Sequence, residues 1–279
     1  MSKKLMHKVL LVFLCSCAGI KNIQKFEPKK NLGISPGELK MIEVSSGATH
    51  IECGNEMMQV SRKGSKSYFV FAESYFSQRE TVVCKIMKNK NELYAQEITV
   101  KRKEYPFETL SVNPKRVKLN KKDLDRVIRE RKILKNIYKN SAKNLLIKKN
   151  FSIPLKSKVT SFYGTRRLFN NVRKSQHLGI DYRAKVGVPI PSSNGGKVVL
   201  ARNLFYTGNT VIIDHGLGIF TLYGHLNKID VEKGQFVKKF QILGKAGKTG
   251  RVTGPHLHWG VKVNGHWVDG DILTALNLL

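Results

Sequence analysis

The residues of this chain best suited to chemistry are two histidines near its C-terminus. His256 and His258 are separated by one residue within the segment 254–260, which has the composition of a strand. Because side chains alternate between the two faces of a strand, both imidazoles are expected on one face, where they could serve the same metal ion. An isolated His-x-His pair is weak evidence. Its interpretation depends on what the preceding chain supplies.

A candidate carboxylate ligand lies upstream. Asp181 follows His177 by four residues and is flanked by apolar positions, so a buried carboxylate there would need a partner. Gly179 and the β-rich surroundings favour a turn into a strand over a helix. His177, Asp181 and one member of the His-x-His pair would supply two nitrogen ligands and one oxygen ligand. A fourth position would stay open for water, as in catalytic zinc sites. A structural site would use thiolates, and residues 151–279 contain no cysteine.

A catalytic zinc site also needs a group that handles protons. Residues 151–279 contain no His-Glu-x-x-His motif, and their one glutamate, Glu232, lies in a turn-like sequence expected to face solvent. Histidine therefore has to take this role. One candidate is His225, in the sequence Tyr-Gly-His-Leu. The other is whichever of His256 and His258 does not bind the metal.

The segments that carry these residues resemble the motifs of the lysostaphin-type (LytM-like) zinc metallopeptidases, which cleave peptide cross-links of bacterial peptidoglycan. The three motifs are His-x-x-x-Asp at 177–181, Tyr-Gly-His-Leu at 223–226 and Gly-Pro-His-Leu-His-Trp-Gly at 254–260. The sequences at 161–167 and 244–250 are similar to flanking sequence of that family. The resemblance covers about residues 152–275.

This resemblance implies a site, a fold and an activity. His177, Asp181 and His258 would bind Zn²⁺. His225 and His256 would stay off the metal, where they would orient the water, assist its deprotonation and stabilise the oxyanion. The implied fold is an antiparallel β-sheet domain with a groove for an extended peptide, and the implied activity is zinc-dependent endopeptidase cleavage of peptidoglycan stem peptides. The alternative is an inactive relative that binds the cell wall and activates another hydrolase. Such relatives typically lose ligands, whereas all five residues are present here.

The elements around these motifs are predicted to be strands. Residues 151–279 alternate short β-rich runs with glycine-containing turns, and no long amphipathic helical pattern interrupts them. We therefore predict a C-terminal metallopeptidase domain over 151–279. Arg166 and Arg167, just before the first motif, either line its groove or lie on its surface.

The preceding chain is predicted to form a second β-rich domain and a helical linker. Residues 37–112 hold short alternating runs separated by turn signals, which indicates a small antiparallel β-sandwich-like domain. Its two cysteines, Cys53 and Cys84, are predicted to form a disulfide. Residues 113–150 follow with a candidate N-cap, Asn120, and apolar residues at helical spacing. The segment 111–150 has fourteen Lys and Arg against three acidic residues, so this linker is basic.

Charge and the N-terminus predict where the protein acts. The formal net charge of +30 favours polyanionic partners. Because no recognition helix, zinc-finger spacing or aromatic-basic RNA signature is present, we expect an anionic envelope polymer or a membrane surface rather than a specific nucleic acid. Residues 1–20 resemble a signal peptide whose Leu-Cys-Ser-Cys sequence would make Cys17 a lipidation site; simple cleavage is the alternative. Residues 21–36 are predicted to be a tether. The protein is thus expected to be exported to the periplasm or cell envelope.

Overall fold

The computed structural model describes residues 32–111 and 119–278. The predicted signal peptide with Cys17, and the predicted tether as far as residue 31, lie outside the described residues. The rest is mainly β, as predicted. Within the described part of the chain, no helix has the length and apolar character needed to cross a bilayer.

The N-terminal part is a β-sandwich built from two sheets. Its strands are β1 (Leu32–Ile34), β2 (Leu39–Val44), β3 (His50–Cys53), β4 (Glu56–Gln59), β5 (Ser61–Lys63), β6 (Lys66–Ala72), β7 (Thr81–Lys88) and β8 (Asn91–Val100). One sheet has the order β1-β8-β7-β3-β4 and the other β2-β6-β5. Alternate residues of β7, including Val82 and Ile86, enter a core that both sheets share. The predicted disulfide is confirmed: Cys53 and Cys84 are opposite each other on β3 and β7 and are bonded.

One strand of this sandwich begins inside the predicted tether. β1 pairs in parallel with β8. The sequence led us to expect a purely antiparallel sandwich, and this strand pair departs from that expectation. These tether residues form a strand because Ile34 is buried in the shared core, with 2% of its surface exposed. Burial of one apolar side chain in this way stabilises the strand by about 1.5–3 kcal/mol.

The linker helix α1 (Lys121–Lys139) packs against the C-terminal domain. The side chain of Asn120 accepts a hydrogen bond from the backbone N–H of Asp123, as the predicted N-cap requires. Leu134, Ile137 and Tyr138 contact a cluster of buried residues on the C-terminal sheet. Glu130, on the same helix, accepts a hydrogen bond from the backbone N–H of Phe205 at 2.8 Å. The helix is therefore a fixed part of the fold and not a free connector.

The C-terminal domain is organised around a ten-stranded sheet. Its strands are β10 (Val159–Ser161), β13 (Ile180–Arg183), β14 (Pro189–Pro191), β15 (Gly196–Leu204), β16 (Gly208–Asp214), β17 (Ile219–Ile229), β18 (Phe236–Val237), β19 (Ile242–Ala246), β20 (His256–Val263) and β21 (His266–Val268). The main order is β10-β13-β20-β17-β16-β15-β18, and each neighbouring pair in this order is antiparallel. A short helix, α2 (Gly270–Ala275), follows β21. The expected antiparallel β-sheet fold is confirmed.

The centre of this sheet is covered on both faces, which explains its apolar sequence. Along β17 the first eight residues are all buried. Ile219 and Tyr223 belong to the main core of the C-terminal domain, whereas Phe220 and Leu222 belong to the cluster beneath α1. A strand between two apolar layers has no polar face to alternate with.

A three-stranded sheet joins the two halves of the chain beside the groove described below. Its order is β12-β11-β9, where β9 is Phe107–Leu110, β11 is Arg166–Phe169 and β12 is Arg173–Gln176. β9 pairs in parallel with β11. Residues 107–110, which the predicted boundary at 112 assigns to the N-terminal domain, thus extend a hairpin of the C-terminal domain.

Candidate metal centre

Three neighbouring strands bring the sequence motifs together. Asp181 on β13 is directly opposite His258 on β20, and His258 is in turn opposite Gly224 on β17. Antiparallel pairing of these strands therefore places residues 181, 258 and 225 side by side although they are far apart in the chain. His256 and His258 share one face of β20, and Leu257 and Trp259 on the other face are fully buried.

His177, Asp181 and His258 converge on one point. Asp181 Oδ1 is 2.9 Å from His177 Nε2 and 2.9 Å from His258 Nδ1, and the two nitrogens are 3.0 Å apart. His177 Nδ1 donates to the carbonyl oxygen of Phe162 at 3.0 Å, which leaves Nε2 as the nitrogen facing the cluster. Such a backbone partner fixes the tautomer and the ring orientation of a metal-binding histidine.

The electrostatics of these groups suit metal binding. Burial works against the charged form of Asp181, but attraction and hydrogen bonds from His177 and His258 hold its pKa well below the usual value. Burial is also the main cause that lowers the pKa of His258, so the imidazole stays neutral. A carboxylate and neutral imidazoles are the forms in which these side chains bind a metal.

The donor set fits zinc in a catalytic site. Two imidazole nitrogens and one carboxylate oxygen lie within 4.8 Å of one another. Zinc accepts this combination, and three protein ligands leave a coordination position for a reactant. The cluster also lies in the wall of a groove of about 550 Å³, so a reactant could reach it.

His225 and His256 lie next to this cluster. Their ring centroids are 4.7 Å apart, and the ring of His225 is 5.8 Å from that of His258. His256 Nε2 is 3.6 Å from Asp181 Oδ1. The Nδ1 atoms donate to the carbonyl oxygens of Thr249 (2.8 Å) and Gly254 (2.9 Å), respectively. In both rings Nε2 is therefore the nitrogen that can act towards the groove, and burial is the main cause that lowers both pKa values.

An irregular backbone directs His225 into the site. Its φ of 62° is in the left-handed region, which a non-glycine residue rarely adopts. The pairing of β17 with β16 shifts register between Asn209 and Val211, on the stretch opposite His225. The backbone N–H of His225 donates to the carbonyl oxygen of Thr207 and stabilises this bulge. Bulges next to functional sites commonly change the direction of a side chain in this way.

Two charged residues near the cluster were not identified as site residues from sequence. Arg167 Nη2 is 3.0 Å from Asp181 Oδ2, and Arg167 Nε is 2.5 Å from Glu108 Oε1 on β9. Arg167 therefore lines the groove, which is one of the two positions that the sequence allowed for it. Arg166 is exposed and lines a separate depression near Tyr75. The sequence around Glu108 does not indicate a role at the site. Glu108 is 59 residues before Arg167 and reaches it only because β9 pairs in parallel with β11.

Residues 175–270 match the sequence profile of peptidase family M23. This segment is a peptidase M23 domain. The family resemblance inferred from the motifs is thus confirmed, and the matched residues contain all five histidine and aspartate residues described above.

Similarity to known proteins concentrates on this M23 domain. The chain is 42% identical over 120 residues to peptidoglycan DD-endopeptidase ShyA of Vibrio cholerae, covering 43% of this chain and 28% of that protein. It is 46% identical over 93 residues to ShyB of the same organism, covering 33% of this chain and 22% of that protein. The chain thus spans less than a third of the length of these relatives.

One solved structure is similar over most of the chain. It is a Pseudomonas aeruginosa protein assigned to peptidase family M23, with a TM-score of 0.69 and 26% identity, and the match covers 87% of this chain and 96% of that one. The arrangement of the M23 domain together with the preceding β-rich part therefore occurs in another protein. M23 peptidases are metallopeptidases, and the His177–Asp181–His258 cluster is the place in this M23 domain where a metal fits.

Proposed function

We propose that this protein is a zinc-dependent endopeptidase that hydrolyses peptide cross-links of bacterial peptidoglycan. The observation that carries this proposal is the convergence of His177, Asp181 and His258 in a groove of an M23 domain. The relatives named peptidoglycan DD-endopeptidases support the choice of substrate.

In this proposal His177, Asp181 and His258 hold the zinc ion. Zinc bound in such a site supplies Lewis acidity, which makes water a nucleophile near neutral pH and polarises a carbonyl group. Asp181 brings the negative charge that the ion needs, and its second oxygen is held by Arg167. Only Asp181 Oδ1 is then directed at the two imidazole nitrogens.

His225 and His256 would handle protons and charge. Each donates its Nδ1 proton to a backbone carbonyl, so the Nε2 lone pair can accept a proton from water. Their lowered pKa values keep both rings neutral near pH 7, which this role requires. A ring that has taken up the proton becomes a donor and can stabilise the oxyanion that forms on the scissile carbonyl.

The proposal is tested with purified peptidoglycan and the full chain. New amino groups and resolved cross-links should be released by the zinc-loaded protein, and a chelator or His258→Ala should abolish the release. His50→Ala, which changes a histidine of the N-terminal sandwich, is the matched control and should retain full activity. Release that persists in both the chelator and the His258→Ala protein would contradict a zinc mechanism.

A second variant tests the division of roles. His225→Ala should retain one zinc ion per chain by metal analysis while losing turnover, because His225 is proposed to stay off the metal. Loss of zinc from this variant would make His225 a ligand. Intact zinc binding by the wild-type protein without any cross-link cleavage would instead favour the alternative, an inactive relative that activates another hydrolase.

We further propose that the protein is exported and acts in the cell envelope, where its substrate lies. Its net charge of +30 supports association with an anionic envelope polymer or membrane surface. The protein should sediment with vesicles that contain anionic phospholipid and should be released by salt. Equal binding to zwitterionic vesicles would contradict an electrostatic association. Lipidation of Cys17 remains a prediction, which mass spectrometry of the membrane fraction would check.

A further inference from the structure

Arg251 occupies an unusual position in the wall of the groove. Its guanidinium carbon lies 4.5 Å from the ring centroid of Phe169 and 4.6 Å from that of Tyr206. Its backbone N–H donates to the carbonyl oxygen of Tyr206 at 2.8 Å, which fixes the base of the side chain. The groove that Arg251 lines is the one that contains His225, His256 and His258.

The charge of Arg251 has no acidic partner within the described residues. No carboxylate of residues 32–111 or 119–278 forms an ion pair with it, whereas Arg167 contacts both Glu108 and Asp181. Burial lowers the pKa of Arg251 to about 10, and the positive charges of Arg173 and Arg167 act in the same direction. The guanidinium is nevertheless charged at neutral pH.

A partly buried charge without a counter-ion is costly to keep. The two aromatic rings compensate part of this cost through cation–π attraction, which contributes about 0.5–2 kcal/mol. They also hold the planar guanidinium, so its N–H groups keep one direction. A fixed guanidinium of this kind is suited to bidentate recognition of a carboxylate.

We propose that Arg251 binds a carboxylate of the peptide substrate beside the scissile bond, so that the M23 domain selects acidic peptides. The inference rests on the proposed function, which identifies the ligand as a peptide with a cross-linking amide bond. The substrate carboxylate would supply the missing counter-ion. Arg251 would thus be a specificity-determining residue, distinct from the residues that bind the metal or transfer protons.

The test uses two synthetic branched peptides that differ in one group. In both, a D-alanyl residue acylates the side-chain amine of a diamino acid; the α-group of that diamino acid is a free carboxylate in one peptide and a carboxamide in the other. Affinity is measured by calorimetry and kcat/KM by cleavage, with zinc content checked for each protein. The variants are Arg251→Gln and Arg251→Lys. Arg202→Gln is the matched control, because it removes an exposed charge of the same domain away from the groove.

The wild-type protein should prefer the free acid by about 30-fold or more, since removing one partner of a desolvated charge pair costs about 2–5 kcal/mol. Arg251→Gln should abolish this preference with unchanged zinc content and with little change for the amide peptide. Arg251→Lys should recover only part of it, because an ammonium group is not a planar fork. Arg202→Gln should keep the full preference.

Two results would overturn the inference: an equal affinity of the wild-type protein for both peptides, or an Arg251→Gln protein that still prefers the acid. Its failure is separable from failure of the proposed function. Binding that depends on Arg251 without any cleavage would support the carboxylate site and contradict the endopeptidase activity. Cleavage without a preference for the acid would support the endopeptidase activity and contradict the carboxylate site.

Discussion

Replacement of Gly179 by alanine should weaken zinc binding although Gly179 is not a ligand. A Cβ atom at this position would lie 2.5 Å from His258 Cε1, 2.8 Å from His258 Nε2 and 2.8 Å from the carbonyl oxygen of Trp259. Carbon atoms pack at about 3.5 Å or more, so the imidazole has to move by roughly 1 Å. The Trp259 carbonyl belongs to β20, which pairs with β13, and it cannot move without disturbing that pairing.

The expected loss follows from the tolerance of metal coordination. Zinc–ligand distances vary by only about 0.2 Å, so a ring displaced by about 1 Å no longer coordinates well. We expect zinc affinity to fall about 100-fold or more, which corresponds to about 2.7 kcal/mol. Overpacking should also reduce the free energy of unfolding of the metal-free protein by about 1–3 kcal/mol.

The assay is competition for zinc against a chromophoric chelator, with circular dichroism to verify folding. Gly254→Ala is the matched control: Gly254 lies in the same His-x-His segment, and no atom is within 4 Å of its added Cβ. Its zinc affinity should equal that of the wild-type protein. When a chelator has removed the metal, Gly179→Ala should destabilise a His258→Ala protein less than it destabilises the wild-type protein. The reason is that His258→Ala removes the imidazole with which the added Cβ atom would clash. A folded Gly179→Ala protein with wild-type zinc affinity would refute the reasoning.

Three further predictions concern the parts around the site. Replacing both Cys53 and Cys84 by serine should lower the free energy of unfolding by about 2–4 kcal/mol, measured by urea denaturation, because the disulfide closes a loop with a sequence separation of 31. Glu108→Gln should weaken zinc binding about 10- to 100-fold in the chelator assay, because Glu108 forms an ion pair with Arg167, which in turn forms an ion pair with Asp181. Burial lowers the pKa of His215 from 6.5 to about 4, so the unfolded state binds more protons between these values, and stability is lost as pH falls. From pH 7 to pH 5 this amounts to about 2 kcal/mol, and His215→Gln should lack that part of the loss in urea denaturation at the two pH values.

Each of these has a contrary outcome. A serine double variant as stable as the wild-type protein under oxidising conditions would mean that the disulfide constrains little. For Glu108, the control is Glu104→Gln, an exposed change four residues earlier; equal zinc affinities of the two variants would separate Glu108 from the metal site. A His215→Gln protein with the same pH dependence as the wild-type protein would assign the acid sensitivity to other groups.

Features that depend on short sequence spacing could be predicted. The N-cap at Asn120 depends on residues three apart, and the shared face of His256 and His258 on residues two apart. Cys53 had one candidate partner in its domain, so the disulfide needed no knowledge of the fold. The motifs around residues 177, 225 and 258 likewise indicated a zinc peptidase, and the roles assigned to individual site residues remain proposals.

Features that depend on long-range pairing could not be predicted. β9 joins the C-terminal domain by parallel pairing with β11 and places Glu108 beside Arg167. The bulge that aims His225 and the two rings around Arg251 likewise come from distant strands and loops. The sequence by itself determined which side chains could hold zinc, because their types and their short spacing can be read from the local chain. The partners of those groups depend on strand order and register, which only the packing of the whole chain decides.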